Sequence, residues 1–116
     1  MSEQRISWFK ISDACYNVES FVPKNSVCTV IVKGKEFCVA NLADGLFAMN
    51  DYCPHAGASL GHGWCNEKGI VMCPLHNYKY DIHTGKCVSG DEFYRVKTYP
   101  VKVDDEGIFI GLPLDF

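Results

Sequence analysis

The sequence predicts a small all-β protein, and three observations support this prediction. Short runs rich in β-branched and aromatic residues occur along the whole chain. Glycine-containing turns such as Lys33-Gly34-Lys35 and Asp44-Gly45 separate these runs, whereas apolar residues at helical spacing are scarce. At 116 residues, 47% of them hydrophobic, the chain is long enough for one core and too short for two ordinary domains.

The first half of the chain predicts a three-stranded meander preceded by one further strand. The predicted strands are Trp8–Ile11, Val27–Val32, Glu36–Leu42 and Leu46–Met49. The loop around Gly34 is short enough to join the second and third of these as a tight hairpin. Ser12-Asp13-Ala14 is predicted to cap one short helical turn.

The second half changes in composition between residue 50 and about residue 90. Six of the ten glycines and all four histidines fall there, with short predicted strands at Ile70–Met72, Tyr78–Tyr80 and Lys86–Val88. The strand pattern then resumes at Arg95–Val103 and Ile108–Leu112, and this last hairpin is expected to pair with the first strands and close the sheet. We therefore predict a single domain, 1–116, with a base formed by 1–49 and 91–116 and an inserted subdomain at about 50–90.

Charge and hydropathy narrow the class of protein. The formal net charge of -3 and the absence of like-charge blocks argue against binding to nucleic acid or to an anionic membrane. The sequence shows neither a basic region followed by an apolar run at its start nor any apolar run of membrane-spanning length. An odd number of cysteines, seven, implies no disulfide framework. We expect a cytoplasmic monomer that works with protein partners.

Two Cys/His pairs predict a metal site. Cys53-Pro54-His55 and Cys73-Pro74-Leu75-His76 are separated by seventeen residues, and each cysteine is followed by a proline that stiffens its loop. Thiolate and imidazole ligands suit zinc or iron and disfavour calcium and magnesium. A one-residue gap between Cys53 and His55 is awkward for one tetrahedral zinc, whereas two irons bridged by sulfides remove the difficulty. A structural zinc site is the alternative.

The two pairs, followed by Tyr80-Asp81 and Thr84-Gly85, resemble the cluster-binding loops of Rieske 2Fe-2S proteins. The resemblance implies an antiparallel β base that carries a two-loop cluster-binding subdomain with one 2Fe-2S cluster. It also implies that Cys53 and Cys73 bind one iron and that His55 and His76 bind the other.

Residues near the cluster predict its reduction potential. High-potential members of the family carry a disulfide between the two loops and a serine hydroxyl on a bridging sulfide, whereas Ala58 and Leu75 occupy the disulfide positions here and Tyr78 the serine position. Tyr80 stands where the family's other sulfur-directed hydroxyl lies, and we expect it to contact Cys53. These differences predict a potential toward the low end of the Rieske range of roughly -150 to +300 mV.

The site predicts an electron carrier rather than an enzyme. No nucleotide-binding or nucleophile motif accompanies it, and two fully ligated irons leave no position for a substrate. The resemblance implies a ferredoxin that passes electrons from an NAD(P)H-dependent flavin reductase to a terminal oxygenase. The alternatives are the small subunit of NAD(P)H-dependent nitrite reductase, and a metal-stabilised interaction module without redox function. Asp91 and Glu92 are either a docking surface or a solvated acidic turn.

The remaining side chains of the region have structural interpretations. In the absence of a disulfide, we expect packing of Leu60, Trp64 and Leu75 to hold the loops. His62 is interpreted as a loop residue and His83 as a solvated turn residue. The other five cysteines are predicted to be buried free thiols: Cys15, Cys28, Cys38, Cys65 and Cys87.

Overall fold

The computed structural model describes residues 5–14, 16–55, 57–75, 77–90 and 93–114. Strands dominate these residues, and the all-β prediction is confirmed. The strands are β1 (Ile6–Ser12), β2 (Ser26–Val32), β3 (Lys35–Leu42), β4 (Gly45–Asn50), β5 (Trp64–Cys65), β6 (Ile70–Met72), β7 (Lys79–Asp81), β8 (Thr98–Tyr99), β9 (Val101–Asp104) and β10 (Gly107–Pro113). No helix in the described part of the chain is both long and apolar enough to cross a membrane.

The largest sheet has the order β2-β3-β4-β8, and its first three strands form the predicted meander. Val32 pairs with Lys35 across a two-residue turn, in which Lys33 (φ 53°) and Gly34 (φ 76°) are both left-handed. Two left-handed residues are typical of a type I′ turn, whose twist matches that of the strands it joins. The local sequence thus sets the register of this hairpin.

Strand β3 separates two hydrophobic cores. Phe37 and Val39 face a core that also contains Ile110 and Leu112, whereas Cys38 and the alternate residues after it face a second core. Successive side chains of a strand point to opposite faces. Because both faces of β3 are buried, both sets of side chains are mostly apolar, and the apolar run is nearly continuous. The second core contains the cysteines of both Cys/His pairs and lies under the candidate site.

A second sheet has the order β1-β10-β9. Strand β10 pairs antiparallel with β1 from Ile6–Pro113 to Ser12–Ile108, which is the pairing expected from the sequence. The predicted strand Arg95–Val103 is wrong as a single element. Pro100 divides it into β8, which pairs with β4, and β9, which pairs with β10. Proline has no N–H for a strand ladder, and here the chain passes from one sheet to the other.

The predicted helical turn after β1 lies later than expected. The Oγ of Ser12 accepts a hydrogen bond from the N–H of Ala14 (3.0 Å), a local turn rather than a helix cap. The only α-helix among the described residues is a single turn, Val18–Phe21 (α1). Cys15 lies outside the described residues.

The third sheet has the order β5-β6-β7. Its first two strands lie between the two Cys/His pairs in the sequence, and β7 follows the second pair. Val71 pairs with Tyr80 at its centre, and both side chains are fully buried. The predicted strand Lys86–Val88 is wrong, since this segment forms only the isolated bridges Tyr80–Cys87 and Lys86–Arg95. Left-handed glycines at 85 and 90 bound the segment and prevent a longer ladder. The division into a base and an inserted subdomain, with its boundaries, stays a prediction.

Candidate metal centre

The two cysteine-containing loops have the same backbone design. The N–H of Cys53 donates to the carbonyl of Ala58 (2.9 Å), and the N–H of Cys73 donates to the carbonyl of Tyr78 (2.7 Å). In each loop the residue four positions after the cysteine is left-handed, Gly57 (φ 73°) in the first and Asn77 (φ 56°) in the second. Glycine and asparagine adopt this conformation at the least cost. The equal closures present the two cysteines in equivalent positions.

The sulfurs of Cys53 and Cys73 lie together in the core. Both residues are fully buried and neither forms a disulfide. Burial raises the pKa of the Cys73 thiol, its hydrogen bond with the Cys53 thiol raises it further, and a hydrogen bond from the backbone of Leu75 lowers it. The two sulfur atoms stand in for the thiolates that a metal would bind. The two loops therefore converge on one pair of sulfur atoms.

The imidazole of His55 lies against two tyrosines. Its ring stacks on the ring of Tyr78, with centroids 3.7 Å apart and planes 6° apart, and Tyr94 meets it edge-on at 5.6 Å. Tyr78 and Tyr94 also contact each other edge-on at 5.7 Å. His76, the fourth predicted ligand, lies outside the described residues.

The other residues expected near the cluster have different environments. The hydroxyl of Tyr80 lies 3.4 Å from Sγ of Cys53. Ala58 is half-buried and packs against the core that contains both cysteines. Leu75 is 51% exposed and Trp64 is 61% exposed, so the prediction that these two pack to hold the loops is wrong. Only Leu60 of that group is buried. Trp64 is the exposed residue of the two-residue strand β5.

Asp51 holds the first loop against strand β2, a role that the sequence did not predict. Its side chain is buried, and Oδ1 accepts hydrogen bonds from the N–H of Gly61 (2.7 Å) and the hydroxyl of Thr29 (3.1 Å). Its Oδ2 accepts a hydrogen bond from the hydroxyl of Ser59. In the sequence, the only local indication of this role is an aspartate two residues before the first cysteine, with a serine and a glycine later in the same loop.

His83 lies in a turn and is exposed, as predicted, but its side chain also makes contacts that the sequence did not predict. Its Nδ1 lies 2.8 Å from Oδ1 of Asp81 and its Nε2 lies 3.1 Å from Oδ2 of Asp44, while its ring meets Phe47 edge-on at 4.5 Å. The hydrogen bond with Asp81, opposed by partial burial and reinforced by Asp44, raises the pKa of His83. The imidazole thus ties the turn after β7 to the turn between β3 and β4.

The cysteines outside the pairs are free thiols at four described positions. Cys38 is fully buried, whereas Cys28, Cys65 and Cys87 are half-buried. Burial raises the pKa of Cys28 and Cys38, and raises that of Cys65 to about 11. Within the described ranges, no group of three or more histidine, cysteine or carboxylate side chains is arranged to hold a metal ion.

The described donors fit an iron–sulfur cluster in their chemistry. Two buried sulfur atoms in mutual contact, without a disulfide, are the kind of donors that the thiolate half of a Rieske ligand set requires. One imidazole, His55, is held in a fixed orientation by its stack on Tyr78. A hydroxyl donor near Cys53 provides the kind of contact that tunes such clusters.

Comparisons with known proteins agree with this chemistry. The model of the Rieske [2Fe-2S] domain family matches residues 12–100. The ferredoxin component of the naphthalene 1,2-dioxygenase system from Pseudomonas aeruginosa is 31% identical over 91 residues, which are 78% of this chain and 86% of the relative.

Two solved structures share the fold. The carbazole 1,9a-dioxygenase ferredoxin from Nocardioides aromaticivorans IC177 has a TM-score of 0.77 at 23% identity, covering 92% of this chain and 98% of the other. A candidate NADH-dependent nitrite reductase small subunit from Mycobacterium tuberculosis has a TM-score of 0.78 at 20% identity, covering 93% and 96%. At these identities the two likenesses establish the fold alone.

Proposed function

This chain belongs to the Rieske [2Fe-2S] domain family, and on that premise we propose that it carries single electrons from an NAD(P)H-dependent flavin reductase to a terminal oxygenase. It binds one [2Fe-2S] cluster and is an electron-transfer protein rather than an enzyme. The cluster, when bound, accepts and releases one electron at a time. The observation that carries the proposal is the convergence of two equivalent loops on the buried sulfurs of Cys53 and Cys73.

The ligand set proposed is Cys53 and Cys73 on one iron and His55 and His76 on the other. Burial of both sulfurs and the matched loop closures support the cysteine pair. The stacked imidazole supports His55, and the spacing Cys73-Pro74-Leu75-His76 supports the fourth ligand. Two thiolates rather than four make the oxidised cluster electrically neutral, which makes its reduction easier than in a four-cysteine ferredoxin.

We place the potential toward the low end of the Rieske range. Ala58 and Leu75 leave the loops without a covalent link, and Tyr78 provides no short hydroxyl at the serine position. One hydroxyl contact, from Tyr80, offsets these losses in part. The neutral phenol is the donor, because burial raises the pKa of Tyr80 far above its ordinary value and keeps the hydroxyl protonated.

An oxygenase is proposed as the electron acceptor, rather than nitrite reductase, because of sequence identity. The relative with 31% identity is a ferredoxin component of a dioxygenase system, whereas the nitrite reductase likeness is one of fold. Large apolar side chains are exposed on or next to the loops and suit transient contact with a protein: Tyr52, Leu75 and Phe93. Asp91 and Glu92, the other docking residues considered, lie outside the described residues. We place the protein in the cytoplasm as a monomer.

The proposal is tested first by the cluster itself. Dithionite-reduced protein is expected to give a rhombic EPR spectrum with a low average g value, and analysis should find two irons and two sulfides per chain. One zinc per chain, or iron without that spectrum, contradicts the ligand assignment. Replacing Cys73 with serine should abolish the spectrum, whereas Cys65→Ser, at a half-buried free thiol, should leave it unchanged.

Electron delivery needs a second measurement. The photochemically reduced protein is mixed in a stopped-flow instrument with the terminal oxygenase of an aromatic dioxygenase system or with the large subunit of a nitrite reductase, and its reoxidation is followed by visible absorbance. We expect faster reoxidation by the oxygenase. Faster reoxidation by the nitrite reductase subunit would reverse the assignment of the acceptor.

A further inference from the structure

Tyr78 contacts both of the loops that carry the proposed ligands. Its carbonyl accepts the hydrogen bond from the N–H of Cys73 (2.7 Å) and so closes the second loop. Its ring lies flat on His55 of the first loop, with 3.7 Å between centroids and 6° between planes. One residue therefore sets the backbone of one loop and covers a side chain of the other.

Tyr94 completes this arrangement from outside both loops. Its ring meets the rings of His55 and Tyr78 edge-on, at 5.6 Å and 5.7 Å. Its backbone is also held in place, since its carbonyl accepts a hydrogen bond from the N–H of Cys87 (3.2 Å). Stacked and edge-on aromatic pairs are each more stable than their buried area alone implies. The three rings form one packed group that bridges the loops.

The loops have no covalent link at the positions where a disulfide would join them. Those positions hold Ala58 and Leu75, and Leu75 is exposed and makes little packing contribution. The two loops must nevertheless stay in register, because each supplies half of the ligand set. The packed rings of His55, Tyr78 and Tyr94 form a contact from one loop to the other.

We propose that Tyr78 is the positioning residue that fastens the two loops together without a covalent bond and fixes the orientation of the His55 imidazole, with Tyr94 supporting it. This inference rests on the proposed assignment of His55 as an iron ligand. Loss of the ring should let the first loop move relative to the second and release the cluster more easily, while the base sheets remain intact.

The test compares Tyr78→Leu, which removes the ring, with Tyr78→Phe, which keeps it. Each variant is loaded with cluster, and release of iron to an excess of a ferrous chelator is followed after reduction. Tyr78→Leu should release iron roughly two- to tenfold faster than the unmodified protein, the range expected for losing one or two aromatic contacts. Tyr78→Phe should release it at the unmodified rate. Tyr16→Leu, at an 88% exposed tyrosine, is the matched control and should change nothing.

A spectroscopic readout separates positioning from general stability. The EPR g values of reduced Tyr78→Leu should shift or broaden because the imidazole is less fixed, whereas those of Tyr78→Phe should match the unmodified protein. Iron release and g values unchanged in Tyr78→Leu would overturn the proposal, as would a Tyr78→Phe protein that behaves like Tyr78→Leu. If Tyr78→Leu does not fold, Tyr94→Leu decides by the same two measurements. Unmodified protein that never shows the Rieske spectrum would instead refute the proposed function.

Discussion

The hydroxyl of Tyr80 lies 3.4 Å from Sγ of Cys53, and both residues are fully buried. Tyr80 belongs to β7 and pairs with Val71 of β6, so the sheet fixes the position of the phenol relative to the first loop. With iron bound, the sulfur is a thiolate and the phenol is the donor. A donor to this sulfur stabilises the more negative, reduced state.

Removing that donor should lower the reduction potential. We expect Tyr80→Phe to lower the midpoint by roughly 20 to 60 mV, the equivalent of one hydrogen bond's net free energy. The ring remains to fill the core, so the free energy of unfolding should change little. Protein-film voltammetry measures the midpoint, and Tyr99→Phe, at a buried tyrosine of the other core, is the control. A midpoint unchanged in Tyr80→Phe would mean that the contact does not tune the cluster.

Asp51 should contribute strongly to stability. Its carboxylate accepts three hydrogen bonds from Thr29, Ser59 and Gly61, and Asp51→Ala would leave these donors without that acceptor in a buried setting. We expect a loss of about 2 to 4 kcal/mol in the free energy of unfolding, measured by urea denaturation. Asp13→Ala removes an exposed ion pair with Lys10 and should cost about 0.5 kcal/mol or less. Equal losses in the two variants would contradict a special role for Asp51.

The bridge formed by His83 should make stability depend on pH. Because Asp81 and Asp44 raise the pKa of folded His83, its contribution is complete below the unfolded pKa of about 6.5 and is lost as pH rises through the folded pKa. His83→Gln should therefore lower the free energy of unfolding by about 0.5 to 1 kcal/mol at pH 5.5 and by less at pH 9. The loss is small at both pH values because the carboxylates are partly exposed.

Urea denaturation at the two pH values measures this difference. His62→Gln, at an exposed residue of the short 3-10 turn Leu60–His62, is the matched control. A loss that is the same at both pH values would show that the bridge acts through packing on Phe47 and not through charge.

Local sequence predicted most strands because their ends coincide with turns that need particular residues. The β2–β3 hairpin is an example, since Gly34 adopts the left-handed conformation there. The strand break at Pro100 was missed because a proline at a sheet edge is compatible with a strand, and only the partner strands show that the chain changes sheets. Side-chain pattern alone does not contain that information.

The four ligands of the candidate site were proposed from the sequence and stay a prediction, whereas the contacts that support the site were not predicted. Matched Cys/His spacing expresses a local requirement, so Cys53 and Cys73 are recognisable in the sequence. The contacts of Asp51 with Thr29 and of His83 with Asp44 join residues 22 and 39 positions apart, and no local pattern reports them. The apolar character of Trp64 and Leu75 predicts packing, yet hydrophobic residues are often exposed, and the position of each residue in the fold decides whether it is buried.

Gly85, in the turn after β7, lies closely against the backbone of Val96, which precedes β8. It is left-handed (φ +79°), and a Cβ there would overlap the backbone carbonyl of Val96. The two backbones meet because the N–H of Val96 donates to the carbonyl of Gly85 (2.8 Å), which brings Val96 into the core beneath the site. Backbone atoms cannot rotate away as a side chain would, so the overlap must be relieved by separating the two segments.

Gly34→Ala provides a control matched in backbone conformation. Gly34 has φ +76°, and a Cβ there would meet nothing within 4 Å. We expect Gly34→Ala to cost about 1 kcal/mol from backbone strain alone, and Gly85→Ala to cost at least about 2 kcal/mol more because of the overlap. Urea denaturation of both variants gives the difference, and iron content shows whether the site is disturbed as well. Similar costs at the two positions would mean that the contact between Gly85 and Val96 yields easily and does not hold the site to the base.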